Sequence, residues 1–281
     1  MLWDPSAVTT TPSWLDELDL DPHAEPVSMG VRALGERPWL VRDESWADEL
    51  ALKAALCRDR HDEVFAAEPS ALSAAEATLA LLVDAGVTLV DDADLHPLDR
   101  AGRSVQEDLC VMERRETGWH LTAASLCFPS RWRLGAKIGC HVTEVHGPVT
   151  GYEERLAARV DTFFDRLTAS PVWRRNWFVH PDAALFQPDR PEGGDPVVAA
   201  ADALDTLVVR SERQTLRRLD PADDGILFTI RVQQATVRDL LERSERAEAF
   251  RRLLASAPSE TLAHRGMRPE QVLELQAALR R

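Results

Sequence analysis

The chain has 281 residues, 47 acidic and 33 basic, for a formal net charge of −14. That length supports a sizeable core, and 44% hydrophobic with 28% charged residues is ordinary globular usage, which excludes wholesale disorder. The acidic balance argues against a nucleic-acid binder, because nothing here neutralises a phosphate backbone overall.

Residues 1–48 read as an irregular arm rich in Pro, Asp and Trp, with Trp3, Trp14, Trp39 and Trp46 expected to anchor it on the folded body formed by residues 49–281. A helix is expected over Asp43–Arg60, with Ser45 as N-cap and Leu50, Ala54 and Cys57 at helical spacing. A second follows over Ser70–Ala85 and stops at Gly86. The period then changes to alternation: Ser104–Arg114 and Trp119–Cys127 flank Glu116-Thr117-Gly118 as a hairpin, and Pro129 ends the second strand. Ile138–Val145 reads as a short extended segment closed by Gly147-Pro148, and Tyr152–Leu167 as an amphipathic helix. Trp173–Val179, Thr206–Leu216 and Gly225–Val232 are expected strands, the last two joined by the turn-rich Asp220-Pro221-Ala222-Asp223-Asp224. Residues 188–200 read as an exposed loop. Thr236 with Asp239 resembles a capping box, and Pro269 starts a final helix. Strands in runs of two with helices between and at the ends predict an α+β fold with a largely antiparallel sheet. No glycine-rich phosphate loop follows a strand.

No apolar stretch approaches the roughly 20 residues of a membrane span, and no basic start precedes an apolar run at the N-terminus. The four cysteines, Cys57, Cys110, Cys127 and Cys140, form no CxxC pair, so neither a zinc signature nor a disulfide framework is expected; the expected location is a reducing cytoplasm. Only Lys53 and Lys137 are lysines, and Lys137 is the more informative cation for being rare.

Three places carry polar residues that packing alone does not demand. The first joins Phe128-Pro129-Ser130-Arg131-Trp132, Lys137-Ile138-Gly139 and His146-Gly147-Pro148-Val149. A histidine before Gly-Pro sits on constrained backbone, which fixes an imidazole as a metal ligand requires, or as a turn cap does. The second is the strand carrying Arg210, Glu212 and Gln214 on one face and Ser211, Arg213 and Thr215 on the other. Each face begins apolar and turns polar midway, as at a pocket entrance or a solvated edge. The third is Trp173-Arg174-Arg175-Asn176-Trp177, whose alternative is a core corner with surface arginines.

Together with Gln106-Glu107-Asp108-Leu109-Cys110 and Ile226–Arg231, and running to Leu219 beyond the Arg210 segment, these stretches occur in an order that resembles the bacterial heme-dependent oxidative N-demethylase family. The resemblance covers about residues 30–255. It implies a PAS-like α+β domain holding b-type heme, and O2-dependent removal of a methyl group from a small secondary amine. It also implies electrons from NADPH through a separate reductase, and a folate-dependent subunit that captures formaldehyde. His146 is then the expected proximal iron ligand. Lys137, Arg131 and Arg213 would meet the heme propionates, Trp132 belongs to the same binding segment, Arg210 would stabilise charge developing on bound oxygen, and Glu212 would hold the substrate ammonium or donate a proton. The alternatives are a non-catalytic heme- or ligand-binding PAS-like sensor and a scaffold subunit. Asp220–Asp224 and Val232-Gln233-Gln234 depart from the family pattern near the expected pocket rim.

Overall fold

Runs in which apolar and β-branched residues alternate with polar ones become strands, and in this computed structural model, which describes residues 12–24, 29–145, 157–168, 170–219 and 225–280, they make one sheet. The strands are β1 (Arg32–Ala33), β2 (Phe65–Ala67), β3 (Asp108–Arg115), β4 (Gly118–Ser125), β5 (Val172–His180), β6 (Val208–Arg218) and β7 (Gly225–Thr236). They pair antiparallel throughout in the order β1-β5-β6-β7-β3-β4-β2. The expected hairpin is β3–β4, and the expected α+β antiparallel architecture holds.

The helices are α1 (Trp46–Asp59), α2 (His61–Val64), α3 (Leu72–Asp84), α4 (Pro97–Gly102), α5 (Val142–Val145), α6 (Ala157–Arg166), α7 (Ala203–Thr206), α8 (Val237–Leu241), α9 (Ser244–Ser256), α10 (Ser259–His264) and α11 (Pro269–Ala278). Among the described residues no helix is long and apolar enough to cross a membrane. Both early helices form within a few residues of their expected limits, although Ser45 makes no side-chain capping bond. Residues 188–200 form neither helix nor strand and are mostly exposed. The Asp220–Asp224 connection and the start of the expected Tyr152–Leu167 helix lie outside the described residues.

One expectation is corrected. Ile138–Val145 is a turn leading into α5 rather than a strand. Val145 N donates to His141 O (3.0 Å), His141 N to Glu144 Oε2 (3.0 Å) and Lys137 Nζ to Glu144 O (2.6 Å), which closes the turn and starts the helix, while Gly139 N donates to Leu121 O (2.7 Å) and Leu121 N to Cys140 O (3.0 Å) of the neighbouring strand. Its extended contact with the sheet is a bridge between His141 and His120.

The sheet has covers on both sides. On one face Leu216, Ile230 and Val232 join Leu56 and Cys57 of α1, Leu126–Phe128 after β4, and Val160 and Phe164 of α6 in a single core. On the other, α3 and α4 pack over Leu109, Val111 and Leu227, while Trp14, Leu15 and the C-terminal helices pack over Trp177, Val209 and Ala235.

The start of α8 shows how local sequence sets a boundary. Asp239 N donates to Thr236 Oγ1 (3.1 Å) and Thr236 N to Asp239 Oδ2 (2.8 Å), the reciprocal box expected from sequence. Thr236→Ala should lower unfolding stability by about 1 kcal/mol, read as a melting shift of about 2–4 °C, while Thr236→Ser should restore most of it.

Candidate functional site

Residues directly opposite in paired strands share a face, so register decides what each side of the sheet presents. On the face beneath residues 126–145 and α6, Glu212 of β6 stands between Asn176 of β5 and Val232 of β7. Arg210 and Gln214 flank it along its own strand. Glu212 is buried, and Gln214 Nε2 donates to its Oε2 at 2.8 Å. The hydrophobic core of this same face also takes in half-buried apolar side chains: Trp132, Ile138, Val145, Phe163 and Phe186, with Phe228 from the sheet.

Arg210 is fully buried, and its donors are already directed inward. Nε donates to Ser130 Oγ (2.9 Å), Nη1 to Ala184 O (3.1 Å), and Nη2 to Phe128 O (2.9 Å), Leu185 O (3.0 Å) and Pro129 O (3.3 Å). The side chain therefore positions residues 128–130 and 184–185 over the sheet; donation to a bound oxygen, the role expected for it, would require breaking those bonds.

A second buried ion couples to the same segment. Asp108 accepts from Cys127 N and Phe128 N, each at 2.8 Å, and lies 3.3 Å from the fully buried Lys53 Nζ. Lys53 also donates to Glu107 O (2.5 Å) and Gly102 O (3.3 Å). Sequence reading passed over Lys53. Its signal was there in the Glu49, Lys53, Cys57 spacing of one helix face, on which the other of the chain's two lysines is carried inward.

The remaining expected site residues divide. Lys137 lies beside the site layer and donates to Glu144 O, two residues before His146. Arg131 has the positive φ of 67°, the one non-glycine case among the described residues. Its Nη2 pairs with Asp195 Oδ1 at 2.6 Å, while its buried Nε has no hydrogen-bond partner. Near it His180 is held down to about 4, first by burial and then by the positive charges of Arg131 and Arg210, so the ring is neutral near neutral pH. Arg213 is not brought to this face. It points to the opposite side, donating to Pro38 O (2.5 Å) and Trp39 O (3.3 Å). His146 and the Gly147-Pro148-Val149 that follow lie outside the described residues; Val145, immediately before, packs on the core of the site face.

That opposite face holds a buried polar belt. Arg175 bonds Glu17 Oε2 (2.7 Å), Ser211 Oγ (2.9 Å) and Gln233 Oε1 (3.0 Å). Arg231 bonds Asp43 Oδ2 (2.6 Å) and Glu49 Oε2 (2.8 Å), and Gln106 Nε2 reaches Asp43 Oδ1 (2.9 Å) and Glu49 Oε2 (2.8 Å). These bonds fasten Glu17, Asp43 and Glu49 to the sheet, so much of the polar patterning in β5–β7 is anchorage.

Among the described residues no three His, Cys, Asp or Glu side chains converge to hold a bare metal ion. Heme iron needs far less, a single axial side chain. The residues present fit such a group: half-buried aromatic and aliphatic side chains supply apolar walls over a sheet face, and a nearby guanidinium keeps an unpaired buried donor suited to a carboxylate.

No curated protein matches the chain. The family model described as "Haem-dependent oxidative N-demethylase, alpha subunit-like" matches residues 84–271, from the last residue of α3 to the first turn of α11. The match takes in β3 through β7 and the layer over Glu212, and by it the chain belongs to the heme-dependent oxidative N-demethylase alpha-subunit-like family.

Proposed function

We propose that this chain is the heme-binding subunit of an oxidative N-demethylase acting on a small secondary amine such as dimethylamine. The observation that carries the reading is Glu212, a buried carboxylate that accepts from the neutral amide of Gln214 while the neighbouring Arg210 guanidinium is spent on the carbonyls and hydroxyl of residues 128–130 and 184–185. A secondary ammonium is the ligand such a site selects, since a buried carboxylate demands a cationic or hydrogen-bonding partner. Gln214 fixes the carboxylate's rotamer and Asn176 sits opposite, so Glu212 orients the nitrogen while the apolar surround accepts its methyl groups.

When bound, heme supplies oxygen activation. The overall reaction balances with one oxygen atom leaving in formaldehyde and the other in water, taking up two electrons and two protons. Those electrons come in this reading from NADPH through a separate reductase, and a folate-dependent subunit consumes the formaldehyde; a family named for its alpha subunit suits such an assembly. His146 is the proposed iron ligand, with Lys137, Arg131 and Trp132 in the surrounding layer. Arg210 serves as a positioning residue. Five consecutive strands, β3 to β7, lie in the spatial order second, first, fifth, fourth, third, with α5 and α6 crossing one face between the second and third, which supports the PAS-like label. A cytoplasmic location is part of the same reading.

The test is spectroscopic and then chemical. Full-length chain reconstituted with hemin should show a Soret band that His146→Ala loses. With reductant and dimethylamine it should release formaldehyde, and Glu212→Gln should keep the Soret band while formaldehyde release falls at least tenfold. A preparation that stays colourless with hemin overturns the reading. The engaged donors of Arg210 favour one alternative, a PAS-like heme sensor, and heme retention without formaldehyde from any small secondary amine would establish that instead.

A further inference from the structure

Arg131 and Arg133 flank Trp132, and one loop, residues 188–200, supplies an aspartate to each. Arg133 is gripped at two points. Its Nε donates to Asp189 Oδ1 (2.6 Å) and its Nη2 to Asp189 Oδ2, the fork that a guanidinium and a carboxylate form best. More than half of each of those side chains stands in solvent. Arg131 is gripped at one point, where Nη2 donates to Asp195 Oδ1 at 2.6 Å. Its Nε is buried and meets no acceptor, and 9% of the side chain is exposed. A guanidinium N–H shut away from water is unfavourable until an acceptor completes it.

Both partners are held rigidly. Arg131 has a left-handed backbone, φ 67°, which strains a residue that carries a side chain. Its N donates to Gln187 O (2.7 Å), and Ser130 before it bridges to Gln187 and accepts from Arg210 Nε (2.9 Å). Trp132 after it packs against the core of the site face. On the loop, the Asp195 carbonyl accepts from the Arg268 guanidinium, and Pro196 restricts the chain that follows. Val198 N then donates to Gln271 Oε1 (2.7 Å) of α11, whose Nε2 donates back to Val198 O (3.0 Å). A strained backbone and an incomplete guanidinium, both fixed from outside, are the marks of a prepared binding residue.

We infer that Asp195 is a positioning residue, holding Arg131 so that its open Nε donates to a carboxylate of the bound ligand. The inference rests on the heme reading above, in which that carboxylate is a heme propionate. Asp195 acts on such a carboxylate in two opposed ways. Its negative charge repels a second anion, whereas its grip on Nη2 fixes the guanidinium and removes the ordering cost of binding. The Asp195 side chain is 20% exposed, so solvent weakens the repulsion, while the Nε donor is buried and its charge-assisted bond keeps full strength. The grip therefore outweighs the repulsion, and losing Asp195 weakens the hold on the ligand.

Hemin and its dimethyl ester, in which both propionates are blocked, separate this role from a structural one. Full-length chain loaded with either pigment is mixed with excess apomyoglobin, and the Soret change gives the rate of release. Asp195→Ala should release hemin about tenfold faster than the wild type, yet release the ester at the wild-type rate. Asp195→Asn keeps an acceptor for Nη2 without the charge, so its hemin release should stay within about twofold of the wild type. Arg131→Gly, which suits the left-handed backbone, should release hemin as fast as Asp195→Ala, and combining the two should add nothing. Release of both pigments hastened equally by Asp195→Ala would make the aspartate merely structural. Slower release of hemin would mean that its charge acts and its grip does not. Either result overturns the inference, as does an unchanged rate. A chain that takes up neither pigment overturns the heme reading itself, and this inference with it.

Discussion

Arg210→Met is expected to remove about 4–5 kcal/mol of folding stability, among the largest single-residue losses available in this chain. The side chain is fully buried, and its five bonds satisfy four backbone carbonyls and a hydroxyl that have been taken out of water. Each buried acceptor left unpaired costs about 1–3 kcal/mol, reduced where water follows into the space. A domain of ordinary stability, about 5–15 kcal/mol, would be left near its unfolding threshold. Arg210→Lys should recover less than half of the loss. An ammonium offers three donors from one point, where the guanidinium fork reaches residues 128–130 and 184–185 at once. Urea denaturation followed by tryptophan fluorescence measures both. A wild-type midpoint in the methionine variant would show that these carbonyls find other partners.

Arg210 also shows where reading the sequence stops. Alternation along 206–216 correctly separates Arg210, Glu212 and Gln214 from Ser211, Arg213 and Thr215, because a side-chain period of two is a local property. What each arginine bonds to is nonlocal. The acceptors of Arg210 are main-chain carbonyls 25–82 residues away, which leave no mark on residue type. Arg213 was grouped with Lys137 and Arg131 by motif, yet period two puts it on the other face, where its acceptors are carbonyls of Pro38 and Trp39, 174–175 residues distant. The tryptophan-bearing arm was legible as something anchored, since Trp14 does pack on the sheet, but its ionic attachments were not. Ile138–Val145 misled for a different reason. A β-branched run imitates a strand, and a four-residue helix is too short for a 3.6 period to show. Glu212 was legible because a strand face that turns from Val208 to Arg210 and Glu212 buries charges that need partners.

The polar belt under the arm yields the second large effect, and it carries a pH signature. Arg231, 1% exposed, is the cation shared by Asp43 and Glu49, and its charge also offsets the burial of Glu107. Arg231→Met would leave three carboxyl groups together in a buried setting, and breaking a buried ion pair from one side costs about 3–5 kcal/mol. Burial already holds Glu49 and Glu107 above the ordinary carboxyl value of 4.5 in the native protein, with Arg231 the leading influence that pulls each back down. A carboxyl raised on folding binds its proton more tightly in the folded state. Its contribution to stability is therefore complete below the unfolded value and is lost as pH rises through the folded one. Without Arg231 both groups move higher still, so the loss reaches its full size near neutrality and above, and shrinks in mild acid as the carboxyls take up protons. Urea midpoints of the wild type and the variant, compared from about pH 8 down to about pH 5, should converge as the pH falls. Groups common to both proteins, such as the low-lying His180, act equally on each and cancel from the difference. A gap that stays constant across that range would mean that Asp43, Glu49 and Glu107 find water once the guanidinium is gone. Cleavage within residues 32–45 by a protease, faster at neutral than at acid pH relative to the wild type, would place the loosening in the arm that these ions fasten to the sheet.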